Sequence, residues 1–456
     1  MKFYLKRKSK KKTRKPNSWP FIFVLLYRLS LDWIYGSLVS VSFRYYGFFN
    51  NINPASYIAS IVVLYLCFIY VRKIFNARRS GILTYTIVLL FLMSFVPFTV
   101  LFGFGYDWLF SILNSIFSFL IFFLTYIFMD KRKIKTKTKI KTSKASMKFV
   151  FTIGFLFSLV TIYVSFRYSG FRLNFDLSKI YEVRLLSFEN DLSWVVSHLF
   201  SWSRTIVSII LCYALIKRKY VYALFFTAVQ LLSFGYDGMK STLFFILISF
   251  VVGLLYRRRF NFAMLGTLGL TAITVVGMVE YLSIETHYIM SYFHFRTLFL
   301  PNLISDYFVD FFSTHNPDFL RQGILRHLGF VSEYSEDINY MISRIYFNDP
   351  GRANNGLIGD AMSNFGYFGL VLYPVVFSLF LKLCDSISRN IDCRILVISS
   401  FHFVIDFSNV SFIVCLFSNG IIVIMVLFLI LNTRVKIKHR VKVELISLSL
   451  QGATAE

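Results

Sequence analysis

The sequence predicts an all-α polytopic membrane protein. Three observations carry that: 56% of the 456 residues are hydrophobic, only 16% are charged, and apolar stretches alternate with short basic runs. A soluble domain carries charge on about a quarter of its residues, and a disordered chain lacks this much apolar side chain. The net charge of +26 would point to nucleic acid in a soluble protein. Here the basic residues lie between apolar stretches, where membrane topology accounts for them, so no nucleic-acid partner is expected. The 55 phenylalanines read as a compositional bias toward Phe as the membrane residue.

The elements follow in order. Residues 1–19 form a basic cytoplasmic N-terminus, with nine Lys/Arg between Met1 and Pro16. The apolar stretch after Pro20 runs past Val41, holds Arg28 and Asp32, and has no small-residue cleavage site. It reads as a retained helix rather than a signal peptide. A span needs about 20 apolar residues, and about twelve segments qualify. They lie near 20–42, 55–71, 81–101, 108–129, 149–165, 193–216, 220–235, 240–256, 262–283, 366–384, 395–410 and 413–432. The segments 220–235, 240–256 and 395–410 are the shortest. Residues 20–283 thus hold nine spans, 366–432 hold three, and 433–456 form a cytoplasmic tail.

Charge orients these segments. With both termini inside, the inner segments hold 36 of the 49 Lys/Arg, the outer loops 11, and the helices two, Arg28 and Arg204. Every inner loop is basic, as the positive-inside rule requires. Two outer segments are long, 166–192 and 284–365. The second holds nine Asp/Glu, five Arg and four of the seven His. It reads as a small outward-facing helical domain interrupted at Pro301, Pro317 and Pro350. No internal repeat of the kind found in many secondary transporters is visible.

Polar residues in a membrane need a reason, since a central Arg costs about 2.5–3.5 kcal/mol on insertion scales. Ser197, Ser201, Arg204 and Ser208 recur at helical spacing and make one polar face. That face suits an anion in a cavity, or an arginine satisfied by neighbouring helices. Arg28 and Asp32 at i, i+4 neutralise each other. His402 and Asp406 share that spacing, either as an oriented acid/base pair or as a packing hydrogen bond. Lys240, in the turn Gly238-Met239-Lys240-Ser241, is an outer-side cation suited to a phosphate or to lipid headgroups. The outer loops add Arg167, Arg172, Lys179 and Arg184, then Arg296, Arg321, Arg326, Arg344 and Arg352, with His287, His294, His315 and His327. Guanidinium groups from separate loops can converge on one anion bidentately. The five cysteines have no C-x-x-C spacing, and no metal-ligand motif, P-loop, dinucleotide glycine pattern or nucleophile elbow is present. No cofactor and no metal are expected.

Three stretches resemble the O-antigen polymerase family, the oligosaccharide repeat unit polymerases. The first is Phe175-Asp176-Leu177 with Tyr181-Glu182-Val183-Arg184. The second is Arg296-Thr297-Leu298-Phe299-Leu300-Pro301 leading to Tyr307, Asp310-Phe311-Phe312 and His315-Asn316-Pro317. The third is Ala353-Asn354-Asn355-Gly356, Gly359-Asp360-Ala361 and Asn364-Phe365-Gly366-Tyr367-Phe368-Gly369. The turn Gly238–Ser241 is similar too. Some members carry an arginine followed eleven residues later by glycine, and here Arg344 and Gly356 miss that spacing by one.

The resemblance implies a GT-C-like glycosyltransferase of the bacterial inner membrane with its active site facing the periplasm. It implies that undecaprenyl-diphosphate-linked repeat units are joined into O-antigen or a related surface polysaccharide. The partners implied are the lipid-linked donor and acceptor, the bilayer and a chain-length determinant protein. Carried over by position, Arg184, Arg296 and Lys240 hold the diphosphate, with Arg204 supporting from within the membrane. His315 is the base candidate and Asp360 its rival, while Asn355, Gly356 and Asn364 shape a loop-to-helix junction. An O-antigen ligase, or a flippase or transporter of the lipid-linked unit, is the competing expectation.

Overall fold

A computed structural model describes residues 19–77, 81–129, 144–173, 183–184, 186–187, 190, 192–257, 260–284 and 287–431. The basic N-terminal run, the 131–143 run, the C-terminal tail and the motif residues Phe175–Leu177, Tyr181 and Glu182 lie outside them. All regular structure among the described residues is helical.

Eight helices are long and apolar enough to cross a membrane. They are Phe21–Ser42, Pro54–Ala77, Ile82–Gly103, Trp108–Phe128, Met147–Ser169, Trp194–Ile216, Phe262–Ser283 and Gly356–Ile387. The remaining expected spans also form helices, but shorter or less apolar ones: Tyr220–Asp237, Lys240–Leu255, Cys393–Asn409, and Phe412–Phe417 followed by Ile421–Leu431. Length and composition therefore single out eight helices where the hydropathy reading expects about twelve spans.

Ile82–Gly103 is central, with 94% of its most apolar stretch buried. It has no charged residue and is apolar all round, the pattern of a helix with neighbours on every side. Phe262–Ser283, only 28% buried over its most apolar stretch, lies at the edge. Where helices meet, hydroxyls pair across them: Thr86 Oγ1 donates to Ser400 Oγ (3.1 Å), and Thr125–Ser378 (3.0 Å) and Thr161–Ser203 (2.6 Å) bond likewise. Such bonds contribute about 0.6 kcal/mol each in a bilayer, so close van der Waals packing carries most of the assembly. Trp19 shows that packing, edge-on to Phe68, Phe75 and Phe91, with its indole N–H on Thr267.

The 284–365 segment departs from an outward domain. It opens with one continuous helix, π-type over Met290–Phe299 and α over Leu300–Thr314. That helix is wedged among the spans. His294 Nε2 meets Thr274 Oγ1 (3.1 Å), Asn302 donates to the Ser94 carbonyl (3.2 Å), and the Tyr307 hydroxyl donates to the Tyr46 carbonyl (2.7 Å). Pro301 does not interrupt it, contrary to expectation. It occupies the first turn of the α segment, where a missing N–H is tolerated.

Of the two readings of His402 and Asp406, the oriented acid/base pair is not formed and hydrogen bonds that pack the helices are. His402 Nε2 bonds Ser208 Oγ (2.6 Å) and its ring stacks on Phe245, while Asp406 Oδ1 accepts from Asn419 Nδ2 (3.0 Å). Partners from outside the helix outcompete the local one. Arg28 and Asp32 do pair, and Thr99 and Ser60 satisfy the rest of that guanidinium. The five cysteines are free.

Candidate functional site

The site is built at a tight turn. Tyr220–Asp237 ends at Gly238, whose φ of +61° is the left-handed cap that glycine takes without penalty. The next helix begins at Lys240, so Lys240 stands where backbone N–H groups and the helix dipole favour an anion. Asp237 stitches the turn together. One carboxylate oxygen accepts the Met239 N–H (2.9 Å), and the other accepts Arg204 Nη1 (2.6 Å). Arg204 also touches Met239 Sδ and Ser201 Oγ, and its carbonyl accepts from Gln230. Arg204 is thus satisfied from its own helix and, through Asp237, from the adjacent one, which is the second of its two sequence readings.

More cations gather around this turn. The ammonium of Lys240 lies over the Tyr292 ring, 3.3 Å from its centroid. Tyr292 and Arg296 are one turn apart on the wedge helix. The guanidinium groups of Arg296 and Arg184 act electrostatically on Lys240, and those of Arg204 and Arg184 on Asp237. Arg184, Arg204, Lys240 and Arg296 come from four separate segments: Arg204 and Arg184 face Asp237, and Arg184 and Arg296 face Lys240.

A cavity of about 420 Å³ adjoins them. Its walls include Tyr168, Arg172, Val183, Ser187, Asn190 and Tyr236. It shares the 183–187 segment and the Gly235–Tyr236 helix end with the cation cluster. Gly235 is required there, because a Cβ would sit 2.2 Å from the Arg172 carbonyl. It is a polar hollow with Arg172 in its wall and Arg184 next in sequence to the wall residue Val183, suited to a phosphorylated ligand.

The other sequence-nominated residues lie elsewhere. His315 caps the far end of the wedge helix, roughly 28 Å from Arg296 at 1.5 Å per residue. It is exposed, stacks on Phe311, and its Nδ1 meets the Phe311 carbonyl at 2.8 Å. Asp360 is buried and engaged: Oδ1 accepts from Asn364 Nδ2 (2.8 Å) and Oδ2 from the Phe412 N–H (2.8 Å). Asn364 in turn accepts the Leu320 N–H through Oδ1 (3.0 Å), tying the 318–320 loop to this helix. Asn355 precedes Gly356, whose φ is +54° and where a Cβ would lie 2.8 Å from the Ser408 carbonyl. The helix Gly356–Ile387 breaks at Gly366 (φ 56°, ψ −143°). These residues form a scaffold at the Ser408–Phe412 turn.

Sequence reasoning passed over Asp237 and Tyr292. An acid immediately before a glycine turn between two apolar helices was the signal for the first. Nothing in the local sequence marks the second. No family model matches the chain, and no curated protein or solved structure does either.

Proposed function

We propose that the chain is a membrane glycosyltransferase that polymerises undecaprenyl-diphosphate-linked oligosaccharide units into O-antigen or a related surface polysaccharide. The convergence of Arg184, Arg204, Lys240 and Arg296 beside a polar cavity carries the reading. In the proposed reaction the acceptor sugar hydroxyl attacks the anomeric carbon of the donor glycan. The bond from that carbon to the diphosphate breaks, the electron pair and charge pass to the diphosphate, and the hydroxyl proton passes to a base. Fixed cations beside the leaving group stabilise the charge as it develops. The proposed orientation, from the basic inner loops, turns the cluster toward the periplasm.

The role of base is open in this geometry, because His315 lies far from the cations and Asp360 is engaged in the scaffold. An O-antigen ligase shares the donor and differs in acceptor, so cellular products separate the two. The test is the surface-polysaccharide ladder after deletion of the chain and its return as wild type or Arg296→Ala. Polymerase action gives a single-repeat band on deletion, with the ladder restored by wild type only. Loss of every band, the single repeat included, sinks this reading in favour of a ligase or flippase.

A further inference from the structure

The 284–365 segment carries an apolar protrusion that no step of the proposed reaction uses. Between Phe319 and Val331 most of the large apolar side chains are uncovered, Leu320 and Leu325 being half-buried. Leu328 is 70% exposed, Phe330 55% and Val331 84%, with Phe319 and Ile324 exposed beside them. Contiguous exposed apolar side chains of this size mark an interaction surface. The protrusion is held firmly at its base. Asp318 and Phe319 donate their N–H groups to the carbonyls of Ser363 and Asn364, and Leu320 to the Asn364 side chain. Phe319 and Leu320 both take positive φ, 54° and 63°, at the start of this turn.

Its position selects the occupant. Phe319 meets Phe365 edge-on at 6.3 Å, immediately before the Gly366 break. Beyond that break, Tyr367, Phe368, Val371, Leu379 and Leu383 are exposed at helical spacing along Gly356–Ile387, one of the eight span-length helices. Phe319, at the root of the protrusion, therefore lies beside the start of the exposed apolar face of a span-length helix. Arg321, Arg326 and His327 are set among the protrusion's apolar residues. Apolar side chains inserted at the acyl boundary, flanked by basic ones at phosphate level, are the composition of an interfacial anchor.

We propose that residues 319–331 dip into the headgroup region of the bilayer, and that lipid is what covers Leu328, Phe330 and Val331. This inference is independent of the proposed enzymatic activity. The test uses the full chain in vesicles of phosphatidylethanolamine and phosphatidylglycerol. A nitroxide is placed at Val331→Cys, at Phe330→Cys, and at Asp349→Cys as a control in the same segment. A Cys393→Ser background leaves only buried native cysteines. Collision with oxygen, which partitions into lipid, is compared with collision with a water-soluble nickel chelate. The expected result is oxygen above nickel at 330 and 331, reversed at 349. Nickel above oxygen at 330 and 331 overturns the proposal. Shielding from both reagents also overturns it, because a second copy or another protein would then be the cover.

Discussion

Arg28 and Arg204 are both arginines within apolar helices, and their surroundings differ. Arg28 is fully buried, with every direction of its guanidinium taken: Asp32 on one side, the Thr99 hydroxyl and carbonyl and Ser60 on the other. Its environment is complete without a ligand. Arg204 keeps 22% of its side-chain surface, pairs with Asp237, which a further arginine also faces, and acts on Asp406 as well. Around it gather Arg184, Lys240 and Arg296, and a hollow lies nearby. A buried arginine is structural when its counter-charges close around it. It is a candidate for ligand binding when further cations from other segments gather beside it near a cavity.

Substitution sharpens that contrast. Arg28→Ala leaves Asp32 in an apolar setting without its partner, and breaking such a pair costs about 3–5 kcal/mol. The expected outcome is loss of folded protein in detergent, read by size exclusion and thermal unfolding, with stability regained in Arg28→Met/Asp32→Leu. Arg204→Ala is expected to leave folded protein in hand and to lower polymerisation by about 10²–10³, the scale of removing one donor to a developing anion. Equal loss of fold in both variants would erase the distinction.

A third group, the half-buried Asp306, has no cation beside it among the described residues. Asp306, on the wedge helix, is pushed up to about 8 by burial and by the neighbouring Asp107 and Asp310 carboxylates. A raised acid is a liability once the unfolded chain can ionise. Stability is expected to fall as pH rises from about 4 to about 8 and to level off above. Asp306→Asn should flatten that slope in thermal unfolding across pH 5–8. An identical slope in the variant would mean another group sets it. The smallest effect expected is at Thr99, whose hydroxyl accepts from Arg28 Nε at 3.0 Å. Thr99→Val should cost about 1 kcal/mol, well short of Arg28→Ala in the same assay.

Most helices were legible because long apolar runs punctuated by Lys and Arg are the signature of membrane spans joined by inner loops. Trp108–Phe128 and Trp194–Ile216 lie where hydropathy puts them, to within a residue. The wedge helix was illegible as a buried element. His294, Arg296, Asn302 and Ser305 lower its hydropathy, yet His294, Asn302 and Ser305 find hydrogen-bond partners inside the bundle. Hydropathy prices such residues as if water were their only partner. Lys240 stood out because an outer-side lysine in so short a turn runs against the charge rule, and the family resemblance singled out Arg184 and Arg296 among the outer arginines. Their mutual approach depends on the wedge, which no local pattern reveals. The acid/base reading of His402–Asp406 failed for the converse reason. Helical spacing makes a pair possible, and Ser208, 194 residues upstream of His402, and Asn419, 13 downstream of Asp406, decide otherwise.

The wedge helix also has a bearing on the order of assembly. Its contacts reach back to Tyr46 and Ser94 and forward to the helix that starts at Gly356. Synthesis delivers residues 290–314 after the first group of spans and before the last. Contacts this distant in sequence close slowly, so the slot between Ile82–Gly103 and Gly356–Ile387 has to stay open, or reopen, until both sides exist. The Lys240–Tyr292 contact and the approach of Arg296 are consequently late events. A chain stalled before the last helices are made would carry all four cations and lack the packing that brings them together.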